Sequence, residues 1–211
     1  MTGIKICGVK EPATYDLLIK LKVNWVGLVF YEPSPRFISM GQVRQLPDYH
    51  NEGLLRVGLF VKPTVDEVRR VLDTVRLDIL QLYTSLEVAH TIREACDIPV
   101  WLAKGIKERS DLPKTCSVDG LVIETPSNHS DLRPGGNGRT FDWRLTSTWD
   151  IPKPWLLAGG LTPDNVGQAI QQSGAKAVDV SSGVERHKGE KDSTLIRQFV
   201  ETIRAIDCNV S

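Results

Sequence analysis

No stretch of this chain stays apolar for the roughly 20 residues that a helix needs to cross a bilayer, so no membrane span is expected. The N-terminus, Met1-Thr2-Gly3-Ile4-Lys5, lacks the apolar core of a secretory signal. Cysteine is scarce, with four unclustered residues in 211, which argues against a disulfide framework. An excess of charge is missing as well. Twenty-six basic residues balance 26 acidic ones, which removes the electrostatic footprint of a nucleic-acid or anionic-membrane binder. The four histidines (His50, His90, His129, His187) are scattered, and no Cys or His pair has zinc-ligand spacing. No Gly-rich loop runs into Lys and Ser or Thr, which argues against a Walker-type nucleotide site. What remains is a 41% apolar, 25% charged composition. That is the profile of a cytoplasmic globular protein acting on small molecules.

What is present is an alternation of short apolar runs and amphipathic stretches that never breaks. Strands are expected at 4–7, 25–30, 56–61, 78–82, 99–103, 120–123, 155–158 and 177–180. Helices are expected from Pro12 past Leu21, near Gly41 to Leu46, from Thr64, over Ser85 to Cys96, around Glu108 to Pro113 and near Asp142. Two more open at Pro163, capped by Thr162, and near Thr194, the latter running to Ala205. Eight strand–helix units in series imply parallel strands joined by crossovers. The α/β architecture that fits is a single (β/α)8 TIM barrel. Its rival is a doubly wound open sheet, usually of about five or six strands. No linker, charge block or low-complexity segment divides the chain, so 1–211 reads as one domain.

A barrel does its chemistry at the carboxyl ends of its strands. Gly159-Gly160 and Ser181-Ser182-Gly183 follow strands seven and eight, where exposed backbone N–H groups bind phosphate in many barrels. Cys7 ends the first strand, on the same face as Lys5. Its position alone suits a buried small hydrophobe, and catalytic use needs a field that lowers its pKa. Glu124 ends the sixth strand, where desolvation would raise its pKa and fit it for general-acid work. Asp179 is the rival acid, or else orients the Ser181 turn. Arg36 follows Pro33-Ser34-Pro35, a rigid presentation for binding a carboxylate or for a surface salt bridge. Lys104 lies at the end of strand five. The loop from Pro126 to Thr140, rich in Gly and polar residues, is expected to close over a ligand.

These segments resemble, in order and nearly end to end, the phosphoribosylanthranilate isomerase family. The likeness is carried by Lys5-Ile6-Cys7-Gly8, by Val26 to Tyr31 with Ser34-Pro35-Arg36, and by Val57-Gly58-Leu59-Phe60-Val61. It continues through Gly135-Gly136 with Gly138 to Trp143, Gly159-Gly160-Leu161 with Pro163 and Asn165-Val166, and Val178 to Glu185. The resemblance implies an Amadori rearrangement of N-(5'-phosphoribosyl)anthranilate without metal or cofactor, on a small phosphorylated substrate. It makes Cys7 the general base, Arg36 the contact to the anthranilate carboxylate and the last two loops the phosphate site. The family's general acid is usually an aspartate, and Glu124 stands at that position. Gln81-Leu82-Tyr83-Thr84 replaces the usual Gln-Leu-His-Gly, and Leu102 falls where a lysine is common, with Lys104 two residues on. Two other functions share parts of this set: rearrangement of a different phosphoribosyl-amine, and non-catalytic binding of a phosphorylated metabolite.

Overall fold

Period-two alternation gives each apolar run two jobs, since one face must fill a lumen while the other meets a helix layer. In the computed structural model, which describes residues 1–47, 53–127, 135, 138–151 and 153–209, eight strands satisfy both. They are β1 (Gly3–Cys7), β2 (Trp25–Val29), β3 (Leu55–Val61), β4 (Ile79–Tyr83), β5 (Val100–Gly105), β6 (Gly120–Glu124), β7 (Trp155–Leu157) and β8 (Ala177–Val180). All neighbours pair in parallel, and β8 returns to β1 with Lys5 opposite Asp179, so the sheet closes into a barrel. That closure rules out the open sheet. The fold is a (β/α)8 barrel. Val57, Ile79, Trp101, Val122 and Leu156 fill the lumen, while Ile4, Ile6, Val26, Leu28, Leu80 and Leu82 pack beneath the helices.

The lumen has an indole floor. Trp25 and Trp101 enter from near the amino ends of β2 and β5 and meet edge to face, with ring centroids 5.3 Å apart. Gly3 and Gly120 leave the room for them: a Cβ at either would stand within 2.6 Å of an indole carbon.

The helices are α1 (Pro12–Lys20), α2 (Met40–Val43), α3 (Val65–Leu72), α4 (Leu86–Cys96), α5 (Val166–Ser173) and α6 (Ser193–Asn209). Thr64 with Glu67 forms a capping box on α3, and Ser85 caps α4. Three expectations need correction. The segment around Glu108 to Pro113 makes only a 3-10 turn, Arg109–Asp111, and the one near Asp142 only Trp143–Thr146. The helix expected at Pro163 begins at Val166. Asn165 is the residue before it, and its side chain accepts from the Thr162 N–H at 2.8 Å and donates to the Gly160 carbonyl at 2.9 Å, so a turn occupies the residues around Pro163. Beyond β8, a 3-10 turn (Ser182–Val184) leads into an antiparallel hairpin of β9 (Glu185–His187) and β10 (Glu190–Lys191) that no apolar alternation announces. Most of the expected lid, 128–134 and 136–137, lies outside the described residues. Among the described residues no helix is long and apolar enough to cross a membrane.

Candidate active site

The strand ends open onto a cleft of about 670 Å³, open solvent included. It gathers Cys7, Arg36, Glu124, Gly159, Gly160, Asp179, Ser181 and Ser182, and adds Tyr83. Gly183 stands just behind. A Cβ on it would lie 1.8 Å from the Leu161 carbonyl oxygen, so only glycine lets the two loops interlock. Lys104 is exposed and does not line the cleft. Trp101 and Ala103 face the lumen whereas Leu102 packs on the helix side, so strand five brings neither Leu102 nor Lys104 to the mouth.

Glu124 ends β6, three strands round the ring from Cys7 on β1, which puts the two across the mouth from each other. Its residue exposure is 6%. Burial above all, helped by the Asp179 carboxylate, pushes the carboxyl up to about 8 against the opposing pull of Tyr83 and Lys5. At neutral pH it therefore holds its proton. The Tyr83 hydroxyl donates to Glu124 Oε2 at 3.2 Å, and Gln81 Nε2 donates in turn to the Tyr83 oxygen at 3.5 Å. Burial, then the Glu124 charge, holds the Tyr83 phenol well above its ordinary range. The longer acid and the unusual tyrosine are thus one hydrogen-bonded unit.

Cys7 is buried, and burial pushes its thiol up; the Lys5 and Lys191 ammoniums work against that shift, and the Asp179 carboxylate adds to it. The lowered pKa that catalytic use of Cys7 was expected to need is therefore not what its surroundings produce. Gly27 on β2 seats the sulfur: a Cβ there would come within 2.7 Å of Sγ. Lys5 lies wholly inside the barrel and donates to Asp179 Oδ1 at 2.9 Å. Burial lowers its ammonium, but the Asp179 and Cys7 charges outweigh that and raise it.

Gly159 and Gly160 have φ of +89° and +62°, a left-handed turn of the chain after β7 that places both residues on the wall of the cleft. After β8, the Ser181 hydroxyl donates to the Cys7 carbonyl at 3.0 Å. The first residue of this loop is thereby tied to the strand that carries the thiol.

Arg36 is buried, which replaces the surface salt bridge with an internal one. Its Nε and Nη2 donate to the two carboxylate oxygens of Glu185, at 2.7 and 2.9 Å. Nη1 has no partner among the described residues. Glu185 and Lys191 are functional-site neighbours that sequence reasoning missed; only the run Val178 to Glu185 marked one of them. Among the described residues no group of three or more His, Cys, Asp or Glu is arranged to hold a metal ion.

Fold and site together define a (β/α)8-barrel protein whose cleft at the strand ends is lined by a proton-bearing carboxyl, a buried thiol and the glycine and serine turns after β7 and β8. The family model described as N-(5'phosphoribosyl)anthranilate (PRA) isomerase matches residues 4–202, and the chain belongs to that family. It is 41% identical over 206 residues to the N-(5'-phosphoribosyl)anthranilate isomerase of Acidiphilium cryptum, covering 97% of this chain and 100% of the relative. The crystal structure of phosphoribosyl anthranilate isomerase from Thermotoga maritima superimposes with a TM-score of 0.80 at 31% identity, covering 97% of this chain and 100% of that one. A further structure of such an isomerase, in complex with reduced 1-(o-carboxyphenylamino)-1-deoxyribulose 5-phosphate, matches with a TM-score of 0.79 at 29% identity over 97% of this chain and 100% of that one.

Proposed function

We propose that the chain, as one barrel domain, converts N-(5'-phosphoribosyl)anthranilate to 1-(2-carboxyphenylamino)-1-deoxyribulose 5-phosphate, with Glu124 as general acid and Cys7 as general base. The Glu124 carboxyl gives its proton to the furanose ring oxygen as the C1'–O bond breaks, and the nitrogen lone pair forms the iminium. The Cys7 thiolate takes the C2' proton, leaving an enolamine that tautomerises to the ketone. The observation that carries this reading is a carboxyl still protonated near neutral pH across the mouth from a thiol.

Lys5 supports the thiolate by its charge. Asp179 holds Lys5 with one oxygen, and its other oxygen serves the ribose hydroxyls. Gly159, Gly160, Ser181, Ser182 and Gly183 supply the backbone cradle for the phosphate. Arg36 takes the anthranilate carboxylate. A balanced net charge supports a small phosphorylated ligand over nucleic acid or a membrane, and four unpaired cysteines suit a reducing cytoplasm.

The test follows the loss of anthranilate-type fluorescence as the purified protein turns over phosphoribosylanthranilate. Glu124→Gln is expected to lower turnover at least ~10²-fold, the usual contribution of a positioned proton donor. Parental turnover by that variant would remove Glu124 from the role and make Asp179 the acid.

A further inference from the structure

We propose that the hairpin of β9 and β10 is a positioning strap that couples the two ends of the substrate site, with Glu185 as the shared anchor. This rests on the reading of Arg36 as the carboxylate contact and the Ser181 loop as part of the phosphate cradle. Glu185 accepts four hydrogen bonds: Arg36 Nε at 2.7 Å and Lys191 Nζ at 2.8 Å on Oε1, Arg36 Nη2 at 2.9 Å and the Gly189 N–H at 3.1 Å on Oε2. Lys191 then reaches on to the Ser181 carbonyl at 2.9 Å and the Ser181 hydroxyl at 3.4 Å. One carboxylate thus sets the guanidinium of the loop after β2 and, through one ammonium, the backbone of the loop after β8.

The turn of the hairpin is fitted to the loop that carries Arg36. A Cβ on Gly189 would stand 2.4 Å from the Pro35 carbonyl oxygen. All three charged side chains are at most 5% exposed. Burying three charges is a poor way to gain stability, because well-packed apolar groups of the same volume usually do as well or better. What the arrangement does supply is fixed geometry and a surplus positive charge, two cations against one anion, beside a cleft whose ligand carries a carboxylate and a phosphate. Glu185 takes the Nε proton and one Nη2 proton of Arg36, so the guanidinium meets the ligand in one orientation, along the edge formed by Nη1 and the second Nη2 proton.

The experiment measures competitive inhibition by two probes, anthranilate for the carboxylate end and inorganic phosphate for the other, together with KM and kcat. Glu185→Gln is expected to raise both inhibition constants about 10-fold, the effect of losing a charge-assisted contact. Lys191→Met is expected to raise that for phosphate alone. A Glu185→Gln protein in which only one constant moves, or neither, overturns the coupling and leaves the hairpin a packing element. Should a single variant fail to fold, the charge-balanced pair Glu185→Gln with Lys191→Met is expected to raise both constants, and unchanged constants in it overturn the proposal equally. Arg36→Met separates the premise from the proposal. If it leaves anthranilate inhibition untouched, the carboxylate reading itself fails; if it weakens anthranilate while Glu185→Gln does not, the strap alone fails.

Discussion

Glu124 and Cys7 lose their protons in the order opposite to the one that the proposed acid and base require, and this sets the pH dependence. On the proposed mechanism the reacting form has the carboxyl protonated and the thiol ionised, yet burial places the carboxyl near 8 and lifts the thiol above its ordinary range. Below pH 8 the carboxyl is loaded and each pH unit gains about tenfold in thiolate. Above it, the thiolate gained is offset by the proton that Glu124 loses. kcat/KM is therefore expected to rise about tenfold from pH 6 to 7 and about fivefold from pH 7 to 8, and then to level off. A fall through pH 8 in a pH–rate profile would show a thiolate already formed at neutral pH. Tyr83→Phe removes a donor that favours the ionised Glu124. The carboxyl is expected to titrate higher, so the levelling-off moves to higher pH in the same profile, a shift that a merely structural tyrosine would not cause. Glu124 and Tyr83 were each visible in the sequence as departures from a pattern. Their hydrogen bond was not, because the two side chains meet past the intervening β5 and stand 41 residues apart in sequence.

At the level of elements, the strands were read closely because a buried parallel strand is apolar on both faces, a signal that needs no partner to be seen. Helices with capping residues, such as Thr64 and Ser85, were equally plain. The failures share a cause. Pro163 looks like a first-turn proline, but the Asn165 side chain satisfies the neighbouring backbone and delays the helix to Val166. The hairpin from Glu185 to Lys191 is polar along its whole length, and two of its charges are buried by mutual pairing that periodicity does not encode. The interlocked loops after β7 and β8 give a direct test. Gly183→Ala would drive a methyl into the Leu161 carbonyl. It is expected to cost about 1–3 kcal/mol in urea unfolding, the range for overpacking, and to weaken inhibition by inorganic phosphate as the loops part.

Across the whole molecule, the barrel is closed by the β1–β8 pairing and clasped from outside by α6. Asp207 accepts from the Thr2 N–H at 2.8 Å and the Thr2 hydroxyl at 2.8 Å, and Arg204 donates to the Thr2 carbonyl at 3.0 Å. Partial burial works to raise the Asp207 carboxyl, but the Thr2 hydrogen bonds and nearby positive charge win and hold it below the usual range. Because its folded pKa is depressed, its stabilisation is present above the ordinary carboxylate pKa and is lost as pH falls through the folded value. Asp207→Asn is expected to lose about 1–3 kcal/mol at pH 7 and to show a shallower loss of stability on acidification. Thermal unfolding of the two proteins at pH 7 and pH 3 checks both expectations.

The crossed indoles of Trp25 and Trp101 seal one end of the ring, so the cleft is a cup with a single rim. They also sit where the staves must stay together for the cup to hold. With Trp143, Trp149 and Trp155 replaced by phenylalanine, emission from the remaining pair is expected to report on whether the ring is whole.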